Sequence, residues 1–250
     1  MSLQFSNTST KKGIIQTIER RLFGDGNYGF ISGNATRLAG FTAEVNLAVD
    51  KAFAIIFEAD GRWQFDDSNH TDYPILTTDL ASGQRDYPFT TDESGNLILD
   101  IYKVLVKGND ADAPYQEIYP VDVQSQAGTE GLSDGRNVTG VPFEYDKTAN
   151  GIFLDPIPSY DMDDGLKIYI NREGSYFSTS DTTKMPGFAG TYHEYVPLVA
   201  SYNYARDNSL PNLALIERDM LDMERRLRAY YARRAKDERH VLRGRSFRFK

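Results

Sequence analysis

Residues 96–108 read NLILDIYKVLVKG: Leu97, Leu99, Ile101 and Lys103 alternate with Ile98, Asp100, Tyr102 and Val104. An imperfect period of two in β-branched, aromatic and aliphatic residues marks a strand. The surrounding runs are of the same kind: YPILTTDL (73–80), RDYPFTT (85–91), YQEIYPV (115–121), VPFEYDK (141–147), NGIFLDPIP (150–158) and GLKIYINREGSYF (165–177). Between two of them Lys147-Thr148-Ala149-Asn150-Gly151 predicts a hairpin turn, because Asn-Gly accepts the positive φ angles that tight turns need. Pro156 and Pro158 end the returning strand. Strands recurring at intervals of about 10–15 residues predict an antiparallel sandwich or barrel. Residues 121–139 are polar and Gly-rich and read as an exposed loop or edge excursion.

On either side the period changes to that of helices. In KKGIIQTIERRL (11–22), Ile14, Ile15, Ile18 and Leu22 share a face, Ser9 or Thr10 offers a cap, and Phe23-Gly24-Asp25-Gly26 stops the pattern. A second helix is predicted over 42–59 from Val45, Ala48, Val49, Ala52, Phe53, Ile56 and Phe57, ending at Asp60-Gly61. A third spans 193–207, with Pro197 in its first turn. Beyond Asn208-Ser209-Leu210-Pro211, the positions Leu213, Ile216, Met220, Met223, Leu227 and Tyr230 step by three and four along a helix of about 28 residues, a heptad-like seam for packing on another long helix. The fold expected is α+β: a helical bundle from the N- and C-terminal segments with an inserted antiparallel β-sandwich or barrel. Its divisions are 1–69 (N-terminal helical part), 70–185 (inserted β-domain), 186–238 (C-terminal long helices) and 239–250 (extended basic arm).

The chain has 250 residues, 40 % hydrophobic and 26 % charged, as in an ordinary folded domain rather than a disordered one. No apolar run approaches the roughly 20 residues of a membrane span, and MSLQFSNTSTKK lacks the apolar core of a signal peptide, so the chain reads as soluble and made inside the cell. With no cysteine and three scattered histidines (His70, His193, His240), thiol chemistry is excluded and little remains for a histidine-based site. No metal, cofactor or catalytic residue is expected.

The net charge of −8 conceals a polarity. Residues 217–250 carry twelve Lys/Arg against six Asp/Glu, which leaves 16 basic and 30 acidic groups, a balance of −14, in residues 1–216. An acidic body with a basic end suggests attachment of that end to another surface, or head-to-tail association between copies. In the arm, Arg239, Arg243, Arg245, Arg248 and Lys250 surround Phe247 and Phe249. Cations interleaved with aromatics suit nucleic acid or an acidic protein surface; the negative body disfavours the first.

The remaining motifs carry little chemistry. Gly24-Asp25-Gly26-Asn27-Tyr28-Gly29 fits the bare GxGxxG pattern, but a helix rather than a strand precedes it, so it reads as an interhelical loop. Asp155, Asp161, Asp163 and Asp164 begin like a calcium loop, yet Gly165 takes a ligand position; Asp66, Asp67, His70 and Asp72 lack a second histidine. Both read as solvated acidic turns.

In order along the chain, GQRDY (83–87), GVPFEY (140–145), IFLDPIP (152–158), LKIYINR (166–172), PGF (186–188), YHE (192–194) and VPLVASYNYA (196–205) resemble the head–tail connector (adaptor) proteins of tailed bacteriophages. The resemblance covers most of the chain from about residue 40 onward. It implies a non-enzymatic structural adaptor of the virion neck, made in the host cytoplasm. Such a protein docks as a homo-oligomeric ring beneath the portal, a dodecamer matching the portal's twelvefold symmetry. A helical bundle carries the β-domain, a downstream tail or nozzle protein binds below, and the lumen passes DNA without specific binding. Arg239, Arg243, Arg245, Phe247, Arg248, Phe249 and Lys250 would grip the portal protein. The alternative expectation is a carbohydrate- or receptor-binding phage tail module. A hydrolase with spatially paired carboxylates and a DNA-binding end-protector are further rivals.

Overall fold

The structure, a computed structural model, describes residues 2–24, 26–59, 75–92, 95–110, 112–121, 138–148 and 150–234. The chain divides into two compact units, one of residues 1–63, 177–184 and 189–250, the other of residues 64–176 and 185–188.

Four α-helices lie in the first unit among the described residues: α1 (Ile14–Phe23), α2 (Ala35–Ala59), α3 (Tyr195–Asp207) and α4 (Leu213–Arg234). Helix α3 packs against each of the others, and nine of its thirteen residues are buried. A helix enclosed on several sides needs apolar residues all round, which YVPLVASYNYA supplies. Helices α1 and α2 present amphipathic stripes to it: Ile14, Ile15 and Ile18 from α1, and Val45, Ala48, Val49, Ala52, Phe53 and Ile56 from α2 are buried. The N-terminal segment is strapped down: the Leu3 N–H donates to His193 Nδ1 (3.0 Å), Phe5 N–H to the Lys184 carbonyl (2.7 Å) and Ser6 N–H to that of Thr182 (3.1 Å). The carbonyls of Gln4 and Phe5 accept from the Ile14 and Ile15 N–H groups at 2.9 and 3.1 Å. These replace the expected Ser9 or Thr10 cap; the N-cap residue is Gly13.

The second unit is built on a seven-stranded curled sheet. Its strands are β1 (Ile75–Leu80), β2 (Asp86–Pro88), β3 (Ile98–Val106), β4 (Gln116–Pro120), β6 (Glu144–Thr148), β7 (Gly151–Asp155) and β9 (Met162–Arg172), in the order β1-β9-β3-β4-β6-β7-β2. Strands β5 (Thr139–Gly140) and β8 (Ile157–Pro158) form a separate parallel pair. All neighbours in the large sheet are antiparallel except β4 and β6, where Tyr119 lies opposite Glu144 and Pro120 opposite Tyr145.

The expected helical bundle with an inserted antiparallel sandwich or barrel is therefore corrected: the chain is a mixed α/β protein with four helices and a half-barrel sheet. One cluster collects a buried side chain from every strand of the large sheet, including Leu80 from one edge and Tyr87 from the other. A sheet that curls around its own apolar face needs no second sheet to cover it. The edges are sequence neighbours, and the Ala81 N–H donates to the Tyr87 hydroxyl at 3.0 Å. The parallel β4–β6 pairing removes the all-antiparallel topology, and a single curled sheet stands where two packed sheets or a closed barrel were expected.

The imperfect alternation of residues 97–108 has a local cause. The β3–β9 register shifts between Ile98 and Asp100 and again between Ile101 and Lys103. Such bulges change the phase, so Ile101 is buried and then Val104 and Val106 are, one step out of line.

Candidate functional site

Arg239, Arg243, Arg245, Phe247, Arg248, Phe249 and Lys250 lie outside the described residues, as do Asp66, Asp67, His70 and Asp72. The seam residues are all on α4. Ile216 and Leu227 are buried, and Leu213, Met220 and Met223 are half-buried. The first four of these by position pack with Leu198 and Ala205 of α3. Tyr230 is 41 % exposed and stacks obliquely on Tyr192 (5.0 Å between centroids), while its neighbour Tyr231 is wholly buried and its hydroxyl accepts from the Ala189 N–H at 2.9 Å.

Beside and beyond the seam, α4 carries a set of charge pairs. Arg226 pairs with Asp222 at 2.7 Å, Arg228 with Glu224 at 3.5 Å and with Glu58 of α2 at 2.8 Å, and Arg225 also pairs with Asp222. Beneath them, burial pushes the Tyr195 phenol well above its ordinary value; the Glu224 charge adds to the shift and Arg228 opposes it.

Large apolar side chains are exposed on the second unit. Tyr119, Phe143, Val138 and Val141 are 66, 57, 61 and 45 % exposed. The β4–β6 pairing sets the backbones of Tyr119 and Phe143 side by side, the Tyr119 N–H donating to the Phe143 carbonyl (3.3 Å), and Val138 and Val141 flank β5 in the chain. Tyr119 points away from the core because its neighbour Ile118 points into it. No periodicity in the sequence announces these exposed side chains.

The aspartates of the calcium-like run have separate partners rather than converging as ligands. Asp161 Oδ1 accepts the Ser82 N–H (2.7 Å), Asp79 Oδ1 accepts the Asp164 N–H (2.8 Å), and Asp155 faces Arg85 at 3.5 Å. Among the described residues no group of three or more His, Asp or Glu is placed to hold a metal ion. Nor is any described helix long and apolar enough to cross a membrane.

Two buried polar arrangements escaped the sequence reading. Glu19, wholly buried on α1, accepts the N–H groups of Ile31 and Ser32, both at 2.8 Å, and the Ser32 hydroxyl at 3.1 Å through Oε1. It thereby pins the loop containing the GxGxxG pattern, whose Gly24 and Gly29 take φ of +82° and +97°. In the sheet, Arg172 at the end of β9 pairs with Asp92 at 3.0 Å, both nearly inaccessible. Both would pass for surface charges in a sequence, since each falls beside polar neighbours. Set against family models and against curated proteins, the chain matches none.

Proposed function

We propose that the protein is a structural adaptor of a tailed-bacteriophage neck, assembling as a homo-oligomeric ring beneath the portal and joining it to the next tail component. The exposed Tyr119, Val138, Val141 and Phe143 carry the reading: large apolar side chains left open to solvent suit burial against another protein chain. The resemblance of residues 83–205 to head–tail connectors supports the same assignment. So does the charge polarity, an acidic trunk ending in a cationic, Phe-bearing arm fitted to grip an acidic partner. A trunk carrying −14 would repel the DNA that a lumen must pass.

The test is mass measurement of the purified protein alone and mixed with portal rings, for the full chain and for a chain lacking residues 239–250. The full chain should add to portal rings in a fixed multiple, and the shortened one should stay folded and fail to add. Normal addition of the shortened chain would refute the role given to the arm. The aromatic exposure of Tyr119 and Phe143 also suits sugar stacking; saturable glycan binding without any portal association would favour a receptor-binding module instead.

A further inference from the structure

Beside α1 lies a cavity of about 250 Å³ whose charged lining is Lys11, Lys12 and Arg20 against the one acid Glu194, with Thr17 and Thr191 between them. The acid is already engaged: Glu194 accepts from the Arg21 guanidinium, the neighbour of Arg20 on the helix. Among the described residues Lys11, Lys12 and Arg20 form no ion pair, although the trunk as a whole is strongly acidic. Lys11 faces the Tyr28 ring at 5.3 Å, which leaves its charge unneutralised. Arg20 makes itself felt: burial chiefly lowers the Arg21 guanidinium, Glu194 opposes this, and the Arg20 charge lowers it further.

The backbone around the cavity is fixed. Asn7 closes the turn that presents the lysines, its carbonyl accepting the Lys11 N–H at 3.0 Å and its Oδ1 the Thr10 N–H at 2.9 Å. Thr17 and Arg20 are one turn apart on α1, so they share a face. Three cations held around a concavity repel one another in the empty state, and an anion with several charges relieves all three repulsions at once.

We infer that this cavity binds a small polyphosphate-type anion, for which pyrophosphate is the simplest representative, independently of any role in the virion neck. Two lysines and an arginine spread around a volume of this size suit separated phosphate charges better than a single carboxylate.

The experiment is calorimetric titration of the full chain with pyrophosphate, and with sulfate as the generic-anion arm, at about 0.1 M salt. One saturable site is expected, with sulfate weaker. The double variant Lys12→Gln with Arg20→Gln should weaken pyrophosphate binding about tenfold or more. The double variant Lys51→Gln with Arg233→Gln removes the same charge from exposed positions outside the cavity and should change it less than about twofold. All four residues are exposed, so the variants should keep the parent melting temperature. Absence of saturation, equal loss in both double variants, or equal affinity for sulfate would each overturn the assignment. So would loss of self-association, without loss of pyrophosphate binding, in the cavity variant, since the cavity would then be a contact for a second copy.

Discussion

Glu19 has no solvent exposure, yet a single oxygen of it serves two N–H groups and a hydroxyl from the loop that follows α1. Truncating it leaves the buried Ile31 N–H without an acceptor, so Glu19→Ala should cost at least about 2 kcal/mol in denaturant unfolding. Faster hydrogen exchange at Ile31 and Ser32 should accompany the loss. At Gly151 the constraint is space rather than charge: a Cβ there would meet the Tyr87 carbonyl at 2.4 Å, where β7 pairs with β2. Gly151→Ala should therefore push the edge strand away and cost about 1–3 kcal/mol, read from the thermal midpoint. Tyr195 sets an alkaline limit. Its phenol stays neutral in the fold to higher pH than in the unfolded chain, so the unfolded state gains by ionising first. Stability should be unaffected below about pH 10 and fall as pH rises above it, and Tyr195→Phe should make that fall shallower by about one proton.

Helix α4 shows how much a stripe can decide. Leu227 is wholly buried and Leu221, on another face, is 53 % exposed. Leu227→Ala should destabilise by about 2–5 kcal/mol, and Leu221→Ala should stay within about 0.5 kcal/mol. Urea melts of the two variants check both. Elements with a dominant local signal were legible in the sequence: the α2 stripe from Val45 to Ile56, the α3 helix with Pro197 in its first turn, and the hairpin that joins β6 to β7. What resisted reading was non-local. The β4–β6 pairing is parallel because the chain between them is long enough to cross over, and nothing within either strand encodes direction. The bulges in β3 become intelligible only with β9 alongside, and the curl that turns one sheet into its own cover depends on all seven strands together. The buried carboxylate of Glu19 was equally hidden, because its partners are backbone groups twelve and thirteen residues away.

At the scale of the molecule the charges are sorted rather than mixed, with −14 on residues 1–216 and cations gathered beyond Glu217. If the arm grips an acidic portal surface, association should weaken as salt rises, and Phe247→Ala with Phe249→Ala should weaken it at every salt concentration without changing its salt slope. Co-sedimentation with portal rings over a salt series separates the two contributions.

The parallel pairing of β4 with β6 has a practical sequel. Val121 is tied through its N–H to the Tyr145 carbonyl of β6 at 2.8 Å, and Gly140 of β5 through its carbonyl to the N–H of Ser159, just beyond β8, at 3.2 Å, so residues 121 and 140 are each anchored. Both attachment points should therefore persist when extra residues are inserted between them, so an inserted peptide should leave the thermal midpoint close to that of the parent chain.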